Sequence, residues 1–297
     1  MALYCRVLLL TCGRNPYETA LIARAARHYC EEPPISGTKG SGTVFFAGCN
    51  LRCRFCQNYD ITVKPHGVAV TPQRLADVFL YLCDTGVANI NLVTAAQVSD
   101  KVAEALALVK HKLTLPVVYN TSSYETVDAI RRLDGLVDVY LPDLKFCDSE
   151  LSKRFANAPD YFDVATAAIA EMKRQQPTNV YDGDGYIERG LILRHLVLPA
   201  HVEDTKRVLD WVVHFCPTTT VSLMSQYFVA RHDDKYTELN RKLYKREYEA
   251  ARQYFFNVGL SSGFCQDPSS ATVDYLPDFV DGDVSDLLNI VPHVIDK

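Results

Sequence analysis

The sequence predicts an α/β protein built on a partial (βα)6 parallel barrel. Two observations carry that prediction. Short β-branched or apolar runs alternate with amphipathic stretches through most of the 297 residues, which is how repeated βα units and a parallel sheet are written in sequence. Six such runs, each with a helix-like stretch after it, give the strand count of a partial barrel. The length suits one large α/β domain or two small ones.

Strands are expected over 44–47, 90–94, 116–120, 137–141, 191–198 and 220–224. Between the first two, Thr71-Pro72 supplies a helix cap with a first-turn proline, and Gly86 supplies the stop. Later helices fit 98–112, 123–133, 162–175, 202–215 and 236–257. Residues 177–190 contain Asp182-Gly183-Asp184-Gly185 but lack the terminal glutamate of a calcium loop, and read as a surface loop. The organisation is an N-terminal extension over 1–40, the barrel over 41–260 and a C-terminal tail over 261–297. The tail holds proline and aspartate without helical periodicity, which predicts loose packing or draping over the barrel.

Composition excludes several classes. An apolar content of 48% with 23% charged residues is that of an ordinary globular protein. A net charge of −5 leaves no electrostatic footprint for nucleic acid, so such a partner is disfavoured. The apolar run 7–10 behind Arg6 is shorter than the roughly 7 to 15 residues of a signal h-region. No stretch approaches the ~18 apolar residues of a membrane span. A reducing, cytoplasmic location without membrane attachment is expected.

The chemistry is concentrated in Gly48-Cys49-Asn50-Leu51-Arg52-Cys53-Arg54-Phe55-Cys56. The CxxxCxxC spacing lets one short loop wrap three thiolates around an iron–sulfur cube. A four-iron cubane takes four cysteines when fully ligated, so three leave one iron open, as a catalytic metal keeps a position for substrate. Zinc would require a fourth ligand, and His66, in a Pro-His-Gly turn, is the only nearby histidine. Ten cysteines in this length fall well below a disulfide scaffold. Cys5, Cys12 and Cys30 lack CxxC spacing and do not form a second metal motif. Cys83, Cys147, Cys216 and Cys265 read as small apolar residues.

Reactive groups of a parallel barrel gather at the carboxyl ends of its strands. The cysteine loop follows the first strand directly, so the mouth is where other functional side chains are expected. After the third strand, Tyr119-Asn120-Thr121-Ser122-Ser123-Tyr124 offers neutral polar groups that bind a charged ligand without burying another charge. After the fourth, Asp143 and Lys145 are two apart and share a face, as a ligand contact or as a simple ion pair. In the fifth, alternation turns only one of Arg194 and His195 inward. Arg194 is the inward choice, with His195 satisfied between barrel and helices.

These residues resemble the radical SAM enzymes, in the branch related to pyruvate formate-lyase activating enzymes. The likeness runs through Thr43-Val44-Phe45-Phe46-Ala47-Gly48, the cysteine loop, Asn89-Ile90-Asn91-Leu92-Val93-Thr94 and Tyr140-Leu141-Pro142-Asp143-Leu144-Lys145. It implies a radical SAM barrel, a 4Fe-4S cluster on Cys49, Cys53 and Cys56, and S-adenosylmethionine on the open iron. It further implies reductive cleavage to a 5′-deoxyadenosyl radical that abstracts hydrogen, with activation of a glycyl-radical protein as one outcome. A one-electron donor such as flavodoxin or ferredoxin is the implied partner. The alternatives are a radical SAM enzyme on another substrate and a non-enzymatic iron–sulfur electron carrier or sensor.

The resemblance also assigns cofactor contacts. Phe55 matches the position that packs against adenine, with a plain hydrophobic plug as the alternative. Thr94-Ala95-Ala96-Gln97 stands where many members have Gly-Gly-Glu, making Thr94 a cofactor contact or a helix cap. Asn120-Thr121 matches in part an Asp-Thr pair that helps bind a cation beside the cofactor carboxylate. Asp143 and Lys145 match an Asp-x-Lys element that contacts cofactor or substrate backbone. Arg194 suits the cofactor carboxylate or ribose through paired hydrogen bonds. Gln226 falls where the adenosyl part is contacted. The expected N-terminal cysteine-rich segment of this branch is absent.

Overall fold

The computed structural model describes residues 18–260, 262–266, 279 and 284–294. Cys5, Cys12, the apolar run 7–10 and most of the expected tail lie outside the described residues. In chain order the elements are β1 (Ala20–His28), β2 (Ser41–Phe46), α1 (Tyr59–Thr62), β3 (Val68–Val70), α2 (Pro72–Cys83) and β4 (Ile90–Val93). There follow α3 (Ser99–Val109), β5 (Val117–Thr121), α4 (Val127–Arg131), β6 (Val139–Pro142), α5 (Ser149–Ala156) and α6 (Tyr161–Gln175). The chain continues through β7 (Val180–Tyr181), β8 (Ile187–Leu196), α7 (Val202–Phe215), β9 (Thr220–Met224), α8 (Lys245–Asn257), β10 (Gly263–Cys265) and α9 (Val284–Ile290).

The sheet runs β10-β9-β8-β6-β5-β4-β2-β1-β3 and does not close, which makes it a partial barrel. From β2 to β10 every neighbouring pair along this path is parallel. The six expected strands are β2, β4, β5, β6, β8 and β9, in that spatial order. Two additions lie in the segments read as extension and tail. β1 pairs antiparallel with β2, and β10 pairs parallel with β9.

Helix boundaries follow local chemistry. The Thr71 hydroxyl accepts from Arg74 N at 3.3 Å with Pro72 in the first turn of α2, and Gly86 beyond the end takes φ +77°. The single helix expected over 236–257 divides into a 3-10 turn, Thr237–Leu239, and α8. Asp233 holds Lys235 N and Tyr236 N in a tight turn, and Glu247 reaches back to Tyr244 N at 2.9 Å to fix the start of α8. α5 was not expected, although Asp148 caps it by accepting from Glu150 N and Leu151 N.

Alternation divides the strands into two faces. Val44, Leu92, Tyr119, Tyr140, Leu191 and Leu223 face the helices and join the main apolar core. The opposite set lines the lumen in tiers. At the bottom, Val118, Val139 and Ile192 pack on Ile35. Ile35 belongs to the segment after β1, which turns beneath the barrel and forms its floor: Ile187 N donates to Pro34 O, and Asn89 Nδ2 donates to Ile35 O. Among the described residues no helix is long and apolar enough to cross a membrane.

Candidate active site

The three cysteines lie on the loop leaving β2. Gly48, at φ +87°, turns the chain, and its N–H donates to Ile61 O at 2.7 Å. Buried Leu51 and Phe55 anchor the loop to the core. Arg52 N and Arg54 N donate to Ala156 O and Phe155 O, two carbonyls at the C-terminal end of α5 that have no partner within the helix. The unexpected helix therefore holds the cysteine loop in place. Asn50 Nδ2 ties the loop to Tyr124 O after β5, and Gln57 Nε2 ties it to Gln226 O after β9.

One cavity at the mouth brings together Cys49, Cys53, Cys56, Phe55, Thr94, Asn120, Thr121, Asp143, Lys145, Arg194 and Gln226. These residues come from the ends of β2, β4, β5, β6, β8 and β9. Burial pushes all three thiols above their ordinary range, and the Lys145 ammonium opposes it at each. Cys56 Sγ also lies 3.3 Å from Thr62 Oγ1.

Below the thiols lies a charged cluster. Arg194 donates from Nε to Asp143 Oδ1 at 2.8 Å, from Nη2 to Asn120 Oδ1 at 2.5 Å and from Nη1 to Glu31 Oε2 at 3.1 Å. Glu32 Oε2 is 3.8 Å from Nη1. Lys145 Nζ donates to Asp143 Oδ2 at 2.5 Å. Asn91 and Asn120 both donate to Glu31 Oε1. Despite burial, the two cations hold the Asp143 carboxyl below its usual range. Burial, only partly offset by Arg194, raises that of Glu32. Arg194 thus faces inward, with its fork engaged by protein partners.

His195 points the other way. Its Nδ1 is 2.6 Å from Leu144 O and its Nε2 is 2.9 Å from Thr205 Oγ1, so Nδ1 carries the proton and Nε2 accepts from the hydroxyl. Burial lowers its pKa from 6.5 to about 4.

The remaining candidates are placed by backbone geometry. Thr94 has φ +61°, uncommon for a β-branched residue, and breaks the alternation of β4 so that it reaches the cavity. It does not cap α3, whose N-cap is Val98. Thr121 donates to buried Glu125, which also accepts from Tyr119 Oη at 2.8 Å. Phe55 meets Phe146 edge-on, ring centroids 6.0 Å apart. Gln226 Oε1 accepts from Gln266 Nε2 at 3.3 Å.

His28, the last residue of β1, and Cys30 and Glu31 of the floor segment also line the cavity. Sequence reasoning missed Glu31 and Glu32 as lumen groups. The available signal was an acidic pair directly before Pro33-Pro34, in a stretch without periodicity.

A parallel, unclosed barrel with a three-thiol loop after its first parallel strand defines a class of iron–sulfur protein. Residues 43–186 match the family model described as the Radical SAM superfamily. The cysteine-bearing part of the chain thus matches that superfamily, whose cofactors are a 4Fe-4S cluster and S-adenosylmethionine. An uncharacterised protein of Methanocaldococcus jannaschii, MJ0674, is 30% identical over 219 residues, covering 71% of this chain and 60% of that protein. The present chain therefore spans less than two thirds of that relative. Streptococcus suis SuiB bound to its precursor peptide SuiA superposes with a TM-score of 0.51 at 12% identity, covering 83% of this chain and 53% of SuiB. SuiB bound to S-adenosylmethionine gives 0.50 at 14% identity, covering 74% and 48%. The two superpositions are likenesses of fold.

The residues present fit the cluster. Among the described residues no three histidine, cysteine or carboxylate side chains gather where a single ion could sit. A cubane asks only that each thiolate reach its own iron. The raised thiol pKa values mean that the cysteines shed protons when iron binds.

Proposed function

We propose that this protein is a radical SAM enzyme that reductively cleaves S-adenosylmethionine and abstracts hydrogen from its substrate. The observation that carries this reading is the common cavity, in which three thiols and eight further side chains from six strand ends meet. When bound, the cofactors supply a 5′-deoxyadenosyl radical, with methionine as the other product.

This chain's residues bind, orient and exclude water. Cys49, Cys53 and Cys56 hold the cluster. Lys145 offers positive charge to a carboxylate, while Asn120, Thr121, Thr94 and Gln226 offer neutral hydrogen-bonding groups. Phe55 supplies an apolar face for the adenine. Arg194, already paired, fixes the wall on which Asp143 and Lys145 stand. The floor closes the lumen from below, so access is from the mouth.

The finer reading is activation of a glycyl-radical partner protein, in the cytoplasm and at the expense of a one-electron donor. The Asp143-Leu144-Lys145 element at the mouth supports it. A radical SAM reaction on another substrate is favoured instead by His28 and Cys30, polar groups in the cavity beyond those the cofactors need.

Anaerobic reconstitution, reduction and chromatography of the products test the reading. 5′-Deoxyadenosine and methionine are expected. Their absence with an intact, reducible cluster would leave an electron carrier or sensor. A glycyl-radical signal by electron paramagnetic resonance on a partner protein separates the two enzyme readings.

A further inference from the structure

Behind the cysteine loop, on the outer surface, lies a second cleft that shares one wall with the active-site cavity. That wall is Cys53, which lines both. The cleft is lined by six cations, Arg52, Arg54, Lys153, Arg154, Arg231 and Lys235, against one acid, Glu150. This concentration stands on a chain of net charge −5. Arg54 is neutralised in part by Asp233 at 3.5 Å, Arg154 by Glu238 at 2.6 Å and Lys153 by Glu150 at 3.8 Å. Among the described residues, Arg52, Arg231 and Lys235 form no salt bridge, and all three are exposed.

The cations are held in place. The Arg231 guanidinium lies 4.3 Å from the Tyr59 ring centroid and donates to its hydroxyl at 2.9 Å. Arg54, Arg154 and Lys235 surround the ring of Tyr236 at 5.6, 5.2 and 5.0 Å. Fixing these long side chains before association removes part of the entropy cost of binding. Arg231 also covers one face of Tyr59 and Tyr236 is buried, which leaves little of the stacking platform that a single-stranded nucleic acid would use.

We propose that this cleft is the docking surface for a small, acidic one-electron carrier protein. The proposal rests on the radical SAM reading of the neighbouring cavity. Electron tunnelling falls steeply with distance, and Cys53 is the cluster ligand that lines this cleft as well as the active-site cavity. A carrier seated there is oxidised by one electron and the cluster reduced by one, with no bond or proton exchanged. The cation field orients the carrier and speeds encounter.

The test uses reconstituted full-length protein and an acidic flavodoxin. Binding is measured by biolayer interferometry at low salt and at about 0.5 M salt, where exposed charges are screened. Binding at low salt that collapses at high salt is expected. Arg231→Glu/Lys235→Glu should weaken it about tenfold or more, and Lys153→Glu on α5 should weaken it independently. All three substitutions fall on exposed side chains, and unchanged thermal melting confirms folding.

Cleavage driven by dithionite, a reductant that needs no docked protein, should be the same in variants and wild type, while flavodoxin-driven cleavage falls. Undiminished flavodoxin binding in all variants overturns the proposal, as does tighter binding of a labelled single-stranded RNA than of flavodoxin. Failure of dithionite-driven cleavage in the wild type overturns the radical SAM reading instead, and the binding measurements still judge the surface.

Discussion

Arg194 and Asp143 meet across β8 and the end of β6, Nε to Oδ1 at 2.8 Å, with side chains only 12% and 13% exposed. The pair joins two roles. Asp143 also holds Lys145, which faces the thiols, while Arg194 also holds Glu31 of the floor. A change at either residue is therefore felt at both ends of the cavity.

Arg194→Met should destabilise the fold by about 3 to 5 kcal/mol, because it leaves buried carboxylates without their cation. Asp143→Asn should cost stability for the converse reason. Urea unfolding of the cluster-free protein checks both. A loss below about 1 kcal/mol in each would show the network to be solvated.

Lys145→Met separates the roles, since Asp143 keeps Arg194. The expected result is near-native melting together with S-adenosylmethionine binding weaker by about 1.5 to 3 kcal/mol, the scale of one charge-assisted contact. Equilibrium dialysis of the holoprotein measures it. Unchanged affinity would assign Lys145 to an ion pair alone.

Replacing any one of Cys49, Cys53 and Cys56 by Ala should abolish the 4Fe-4S cluster. Iron and sulfide analysis after anaerobic reconstitution decides this. A full cluster in the triple variant would refute the ligand assignment.

Stability should depend on pH through His195. Its folded pKa of about 4 lies below the ordinary 6.5, so the unfolded chain binds the extra proton across this interval. The contribution is complete above pH 6.5 and is lost as pH falls towards 4, to a total of about 3 kcal/mol. In His195→Gln the stability slope between these limits should flatten relative to wild type. An identical slope would show that the lost stability comes from other groups.

Thr94→Gly should raise stability by about 1 kcal/mol, because glycine takes φ +61° without the clash a β-branched residue carries. Thermal melting tests the gain. Retained cofactor affinity would mean that the backbone, and not the hydroxyl, serves the site.

The barrel was legible because buried parallel strands are written as continuous apolar runs, and polar interruptions such as Asn120, Asp143 and Arg194 mark the lumen within them. The cysteine loop was legible from spacing alone. β1 was not, since Ala20–His28 mixes two arginines with small residues and its antiparallel pairing to β2 is decided by tertiary contact. α5 was missed although Asp148 is a strong cap, because eight residues are too few to display periodicity. Glu31 and Glu32 had no local pattern to reveal that they lie under the barrel.

The floor has a consequence for how the chain folds. Glu31 meets Arg194 across 163 residues of sequence, so the contact closes a long loop and rewards its entropy cost only at the end. The other partners of this carboxylate lie nearer in sequence, since Asn91 of β4 and Asn120 of β5 both donate to Glu31 Oε1. Strand assembly from β2 onward can proceed through short-range βα pairings in the meantime. Arg194 then completes the buried charge network once β8 has joined the sheet.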